Sequence, residues 1–326
     1  MSGEPLPYRS VLVTGAGGYI GRLLVAALAR EPGALETIIA TDLRLPEAKQ
    51  RLLGVGYEEA DVRTTDLADA FHRHRTDLCV HLAAIVTPGP GDSRQREYEV
   101  DVVGSRRVLE ACVAAGVAKL IYTSSGAAYG YHADNPEWLD ENDALRGNAE
   151  FAYSDHQRQV EELLARFRAE HPALRQLVFR PGTILGAGTQ NQITALFDGR
   201  FVLGLRGSDS PFVFVWDEDV VGAIAKGIRE GGAGVFNLAG DGKLSMREIA
   251  RILGKPYLQL PPRLVAAALA VAKPLGLSRY GPEQVRFLMH RPVLANRRLQ
   301  QEFGYRPRKT TREVFEYFLA ARRRIA

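Results

Sequence analysis

Residues 9–22 read RSVLVTGAGGYIGR. The apolar run Val11-Leu12-Val13 is a short strand. Three glycines at intervals of three, Gly15, Gly18 and Gly21, then lead into a helical pattern of apolar residues, Ile20, Leu23, Leu24, Ala27 and Leu28. Gly15 permits a tight turn off the strand. Gly18 lets backbone amides approach a pyrophosphate with no Cβ between them, and Gly21 lets the helix lie close to the strand. The free N–H groups at the start of that helix and its positive dipole end then face an anion, and Gly18, Tyr19 and Ile20 are expected among the cofactor contacts.

A second apolar run, Ile38-Ile39-Ala40-Thr41, ends in Asp42, twenty-one residues after Gly21. A strand, a glycine turn, a helix and an acidic residue at that distance make up a dinucleotide-binding pattern. A carboxylate at Asp42 accepts hydrogen bonds from both adenosine ribose hydroxyls and repels a 2′-phosphate, which points to NAD. Arg44, two residues on, can neutralise such a phosphate and keeps NADP open.

The 326 residues suffice for one large α/β domain and a smaller one. Two cysteines, Cys79 and Cys112, exclude a disulfide scaffold, and both fall in apolar runs that read as core. The first ten residues lack the hydrophobic region of a signal peptide, so a cytoplasmic protein is expected. The net charge of +4 is uneven: residues 279–326 carry twelve Lys/Arg against four Asp/Glu, +8, leaving −4 for the rest. No aromatic interleaving accompanies this basic end, so it reads as solvated helix faces and no nucleic-acid partner is expected. The most apolar segment, residues 263–276, is broken by Lys273-Pro274. It is shorter than the roughly 20 residues a membrane span needs and reads as a core or lid helix. The seven histidines are scattered without metal-ligand spacing, and His72-Arg73-His74 reads as a solvated helix face.

Strands are expected at residues 36–42, 57–62, 78–82, 119–123 and 177–180, with helices over 94–115 and from Tyr153 past Arg166. An acidic residue at the end of the third strand, Asp61-Val62, can accept a bond from an adenine amino group. The small residues of Leu82-Ala83-Ala84 let the backbone pass close to the cofactor. His81 alone reads as a packed histidine. Regular alternation of strands and helices implies a Rossmann-type, doubly wound parallel sheet with right-handed crossovers, its ligands bound at the carboxyl ends of the strands. Residues 1–182 form this domain. Beyond residue 182 a smaller, mixed substrate lobe is expected over 183–326, interleaved in space with the first, with a helix at 217–229 and a strand at 235–238.

TGAGGYIG at 14–21, HLAA at 81–84, DVVGS at 101–105, YTSSGAAYG at 122–130, the Tyr153 helix, RPG at 180–182, FVWDEDVVGAI at 214–224, VFNLAG at 235–240 and FGYRP at 303–307 occur in an order and spacing that resemble the extended short-chain dehydrogenase/reductases, the group of NAD-dependent epimerases and dehydratases. The resemblance implies hydride transfer at an alcohol or ketone carbon. It implies Ser125 as the orienting serine with Ser124 beside it, Tyr153 as the proton-transferring tyrosine, and cofactor contacts from Asp101, Pro181 and Gly182. It also implies a homodimer through the 94–115 and 153–170 helices. An unperturbed phenol, with a pKa near ~10, is a poor base at neutral pH. The family remedies this with a lysine four residues on, whose charge favours the phenolate.

Here that position is Gln157, which can hydrogen-bond a ribose but supplies no charge. His156, three residues from Tyr153, is the candidate substitute base or cation, against the plainer reading of a surface helix residue. Asp101 stands where the family often has asparagine. Sugar-nucleotide members clamp a diphosphate with an arginine shortly before the FVWD-like segment. Ser210 stands near that place, with Arg206 the nearest replacement. The segment is instead apolar. Phe212, Phe214 and Trp216 alternate as one strand face, and Thr183, Phe214 and Trp216 join Ser124, Ser125 and Arg206 as candidate substrate contacts. The expected activity is that of an NAD(P)-dependent oxidoreductase or epimerase on a small or apolar substrate. The alternatives are a dinucleotide-binding sensor without turnover and a sugar-nucleotide epimerase with a divergent clamp.

Overall fold

In the computed structural model, residues 8–87, 89, 93–276 and 281–325 are described. The strands are β1 (Ser10–Thr14), β2 (Thr37–Asp42), β3 (Gly56–Glu59), β4 (Leu78–His81), β5 (Lys119–Thr123), β6 (Arg175–Pro181), β7 (Thr183–Leu185), β8 (Val202–Leu205), β9 (Phe214–Trp216), β10 (Gly234–Leu238) and β11 (Tyr257–Leu260). Seven of them form one parallel sheet in the order β10-β6-β5-β4-β1-β2-β3. The chain order reverses between β1 and β4, which opens a crevice at their carboxyl ends.

Strand alternation splits the core. Val11, Val13, Ile38 and Ala40 face one side, with Leu24 and Leu28 of α1 (Tyr19–Arg30) and Val220 and Ile224 of the helix Asp217–Arg229. Leu12, Ile39 and Cys79 face the other, with Phe71 of α2 (Leu67–Arg73), Leu109 and Cys112, and Leu164. Both cysteines are fully buried, as their apolar contexts require. The sheet is covered on both faces, which is why its strands read as continuous apolar runs.

The expected helix at 94–115 is three pieces: α3 (Arg94–Tyr98), a π turn (Glu99–Gly104) and α4 (Ser105–Ala114). The wider turn changes which residues face inward, and it carries Asp101. α5 (Ala152–Glu170) follows the loop after β5. The third strand ends at Glu59, earlier than the pattern suggested, because Asp61 starts a turn closed by its own carboxylate and Arg63.

The chain does not leave the sheet for good at residue 182, since β10 pairs with β6. What lies outside is a lobe with two small parallel pairs, β7·β9 and β8·β11. Its core stacks Phe212, Phe214 and Phe315, with ring centroids 5.1 and 5.5 Å apart. The apolar helix Pro262–Ala272 is not core. Only Val265 is buried, while Leu264 and Val271 are 56% and 61% exposed. Among the described residues no helix is long and apolar enough to cross a membrane. His74 is likewise not solvated: its Nε2 meets Glu58 at 2.5 Å, and Arg73 forks onto the same carboxylate.

Candidate active site

The turn after β1 is shaped by close approach. Gly15 has φ +69°, and a Cβ on it would lie 2.5 Å from the backbone nitrogen of Ala83, so β1 and the loop after β4 touch through it. A Cβ on Gly21 would lie 2.2 Å from the carbonyl oxygen of Gly15. Asp42 Oδ2 accepts the N–H of Gly17 at 2.9 Å, which sets the carboxylate beside the turn. The Arg44 side chain is exposed beyond it. Tyr19 donates to Asp217 at 2.6 Å, joining the start of α1 to the start of the helix Asp217–Arg229. Asp61 is occupied: Arg63 grips both its oxygens through Nε and a terminal nitrogen at 2.6–3.1 Å. Neighbouring Val62 is buried against Gly104. Leu82 continues β4 by donating its N–H to Thr14 at 3.1 Å, and Ala84 follows Ala83 into the loop.

His81 is enclosed between Thr14, at 2.6 Å from Nδ1, and Ser105, at 3.1 Å from Nε2. Ser105 gives its own proton to the carbonyl of Asp101, so it accepts from Nε2–H, and the imidazole is neutral. Burial pushes its pKa down to about 4. It is a packed histidine.

Ser125 and Tyr153 come together, close enough for the serine to lower the phenol's pKa. Ser125 also caps the short turn Gly126–Tyr129 by accepting the N–H of Ala127 at 3.1 Å. Ser154 donates to the carbonyl of Ala127 at 2.7 Å, which fixes the start of α5 against that turn. Burial, and then the negative field of Asp101, push the Tyr153 phenol above its ordinary range, while nearby Ser125 works the other way. Gln157 is buried and its Oε1 has no hydrogen-bond partner; the Oγ of Ser124 has none either. Arg158 is held by Asp155 and Glu162 and brings no charge inward. His156 overturns the surface reading: it is 1% exposed, with Nδ1 3.5 Å from Oδ2 of Asp101. The i+3 position alone did not reveal this, because the π turn is what brings Asp101 to that face. Pro181 and Gly182 end β6, with the Gly182 N–H on Leu238 and that of Thr183 on Val213.

Two substrate candidates move to the core. Phe214 is fully buried among aromatic rings, and Trp216 is 8% exposed beneath Arg308 and Lys309, whose charged groups lie 4.5 and 4.2 Å from its ring. Arg206 is exposed. The cation that sequence reading missed is Arg291. It is 8% exposed, it donates to the carbonyl of Ser210 at 2.7 Å, and its guanidinium lies 3.9 Å above Phe212. Its Nε and second terminal nitrogen have no partner, and burial pushes its pKa down to about 9. Ring contacts Phe151–Tyr131 and Tyr131–Phe287, at 5.5 and 5.1 Å, lead from the start of α5 to Arg291, which lies over Phe287 at 5.4 Å. No local pattern marks Arg291: it meets Ser210 across 81 residues.

A parallel sheet with a glycine-lined turn at its switch point, a carboxylate beside that turn, and Ser125 of the loop after β5 brought to Tyr153 at the start of α5 are the features of a Rossmann-type chain of the short-chain dehydrogenase/reductase group. The chain belongs to the NAD dependent epimerase/dehydratase family, whose model matches residues 11–238. An uncharacterized protein of Mycobacterium tuberculosis is 26% identical to it, over 98% of this chain and 86% of its own length. The UDP-glucose 4-epimerase of Azospirillum brasilense is 26% identical, over 82% and 86%. Among solved structures, MoeE5 in complex with UDP-glucuronic acid and NAD superposes with a TM-score of 0.74 at 24% identity, covering 97% of this chain and 100% of that one. The UDP-glucose 4-epimerase of Thermotoga maritima with UDP-glucose gives 0.74 at 20%, covering 97% and 99%.

NAD is the cofactor, and the residues present fit it. The cradle at Gly15 and Gly21 excludes any Cβ, and Asp42 stands beside it. The buried oxygens of Ser124 and Gln157 are left without partners on the Tyr153 side.

Proposed function

We propose that the protein is an NAD-dependent oxidoreductase or epimerase acting on an alcohol or ketone carbon of a nucleotide-diphosphate sugar. Arg291 receives the diphosphate, and the Ser125–Tyr153 pair receives the reacting oxygen. The observation that carries this reading is the buried guanidinium with two unpartnered nitrogens, 3.9 Å above Phe212. A desolvated, half-unsatisfied cation is costly to keep unless an anion completes it. It replaces the expectation of a small or apolar substrate, which rested on the absence of such a cation.

Ser125 orients the substrate oxygen by hydrogen bonding, and Tyr153 moves its proton. A phenol held above its ordinary pKa is protonated at neutral pH. It therefore carries the proton a ketone oxygen would take, though as a weak acid, and is rarely ionised to act as base toward an alcohol. Bound NAD supplies the hydride acceptor or donor at the same carbon. Gln157 holds the ribose through its amide. The catalytic deficit from the missing lysine falls within the ~10²- to 10⁴-fold that general acid–base catalysis contributes.

Calorimetry with UDP and dTDP tests the anion site. Binding that Arg291→Met abolishes is the expected result, and no binding of either sinks the reading. NADH absorbance with UDP-sugars, compared with Tyr153→Phe, tests turnover. Tight NAD and UDP binding with no turnover in wild type or in Gln157→Lys would instead favour a cofactor-binding sensor, the reading that the uncharged Gln157 supports.

A further inference from the structure

The charge that residue 157 lacks has another place to reside. Asp101 and His156 face each other between the π turn and α5, each 1% exposed, with Oδ2 3.5 Å from Nδ1. Neither atom has another hydrogen-bond partner. The second carboxylate oxygen accepts the N–H of Ile85 at 2.9 Å, so Asp101 ties the loop after β4 to the helix that carries Tyr153. The rings of Tyr98 and His156 meet edge to face, with centroids 5.6 Å apart.

An ionised carboxylate only accepts hydrogen bonds. With Ile85 donating on one side, the contact on the other is attractive only if Nδ1 of His156 carries a proton. Asparagine at position 101 would satisfy Ile85 and offer an N–H to the opposite tautomer; aspartate selects Nδ1–H. A buried carboxylate also needs a counter-charge, since an unpaired one costs several kcal/mol. The phenols of Tyr98 on α3, Tyr122 on β5 and Tyr153 on α5 also stand near the pair, and none of them is a cation. Arg94, Asp155 and Arg158 pair with one another instead.

We propose that Asp101 and His156 form a buried carboxylate–imidazolium pair that places, at position 156, the positive charge Gln157 does not supply. His156 is then a positioning residue. It sits one helical turn from Tyr153 and offsets the carboxylate's field on the phenol. This rests on Tyr153 as the proton-moving group, but its test needs no turnover.

The experiment is nuclear magnetic resonance titration of the full-length, histidine-labelled protein, free and with NAD, with the His156 signal assigned by its loss in His156→Gln. His156 is expected to be imidazolium at pH 7 in the wild type, and Asp101→Asn should make it neutral there. Gln157→Lys alone leaves the pair intact and should lower the His156 midpoint, as one cation does to another. A His156 that is neutral at pH 7 in the wild type, or that ignores Asp101→Asn, overturns the proposal whatever the turnover assays give. An imidazolium in a protein without turnover upholds it.

Discussion

The turn between β1 and α1 and the pocket around Arg291 both hold hydrogen-bond donors, by opposite means. At the turn the donors are backbone N–H groups, and the side chains that matter are those that are absent: Gly15 and Gly21 leave less than 3 Å to neighbouring backbone. In the lobe the donor is a single guanidinium, buried against Phe212 and hung from Ser210, with part of its hydrogen-bonding capacity unused. Backbone sites are written in a dozen consecutive residues and have few ways to vary. A side-chain site assembled across 81 residues can move to a different chain position without changing the fold. Cofactor and fold should therefore persist where substrate changes, which is the pattern expected when functional sites are grafted onto a common scaffold.

The largest effect should come from neither of these regions but from a buried network that ties β6, α5 and β10 together. Arg180 of β6 forks onto Glu161 of α5 at 2.8 and 3.0 Å and donates to the hydroxyl of Tyr129, which in turn bonds Asn237 of β10. Arg180 and Glu161 are 5% and 4% exposed. Arg180→Met strands a buried carboxylate and should cost about 3–5 kcal/mol in denaturant unfolding, and the double change Arg180→Met/Glu161→Leu should recover most of it. A small loss in the single variant would mean that β6 and α5 are joined by packing alone. Next in size, Gly21→Ala pushes a methyl into the Gly15 carbonyl. Calorimetry should show NAD affinity falling at least ~100-fold, about 3 kcal/mol, with UDP affinity within about twofold of wild type. If both fall together, the two sites are not independent.

A third test separates the regions by pH. His81 lies under the cofactor turn and has a pKa of about 4 in the fold, below the ~6.5 of an unfolded histidine. The unfolded chain binds the proton more readily. The stability this histidine gives is therefore complete above pH ~6.5 and is lost as pH falls toward 4. At pH 5 the loss is roughly 2 kcal/mol, and His81→Gln should flatten that part of the curve.

How far the sequence disclosed this arrangement follows the same division. The glycine turn, Asp42, β5 at 119–123 and the helix at 217–229 stand where pattern placed them, because each depends on neighbours in the chain. The alternation of Phe212, Phe214 and Trp216 was also readable, but it marked the lobe core rather than a pocket wall; Phe315 and Phe318, about a hundred residues on, decide which side is filled. His156 was misread for a similar reason. Helical spacing puts it near Tyr153, yet its burial depends on a π turn that no residue in 99–104 announces. Arg291 left no trace, since nothing near it in sequence resembles Ser210 or Phe212.

The smallest effect expected is also the finest probe of the turn. Asp42 spends one oxygen on the N–H of Gly17 at 2.9 Å and brings the other within 3.4 Å of the N–H of Arg44. A carboxylate has about four acceptor positions, so room remains for two ribose hydroxyls. Asp42→Ser keeps an acceptor but removes the charge. The preference for NAD over NADP should narrow by about tenfold, roughly 1.4 kcal/mol, mostly through tighter NADP binding as the exposed Arg44 guanidinium meets the 2′-phosphate unopposed. Adding Arg44→Ala should cancel that gain. If wild-type protein already binds NADP as tightly as NAD, the carboxylate is not acting through its charge, and the hydrogen bond to Gly17 would be its whole role: a structural clasp on the turn rather than a selector of the cofactor.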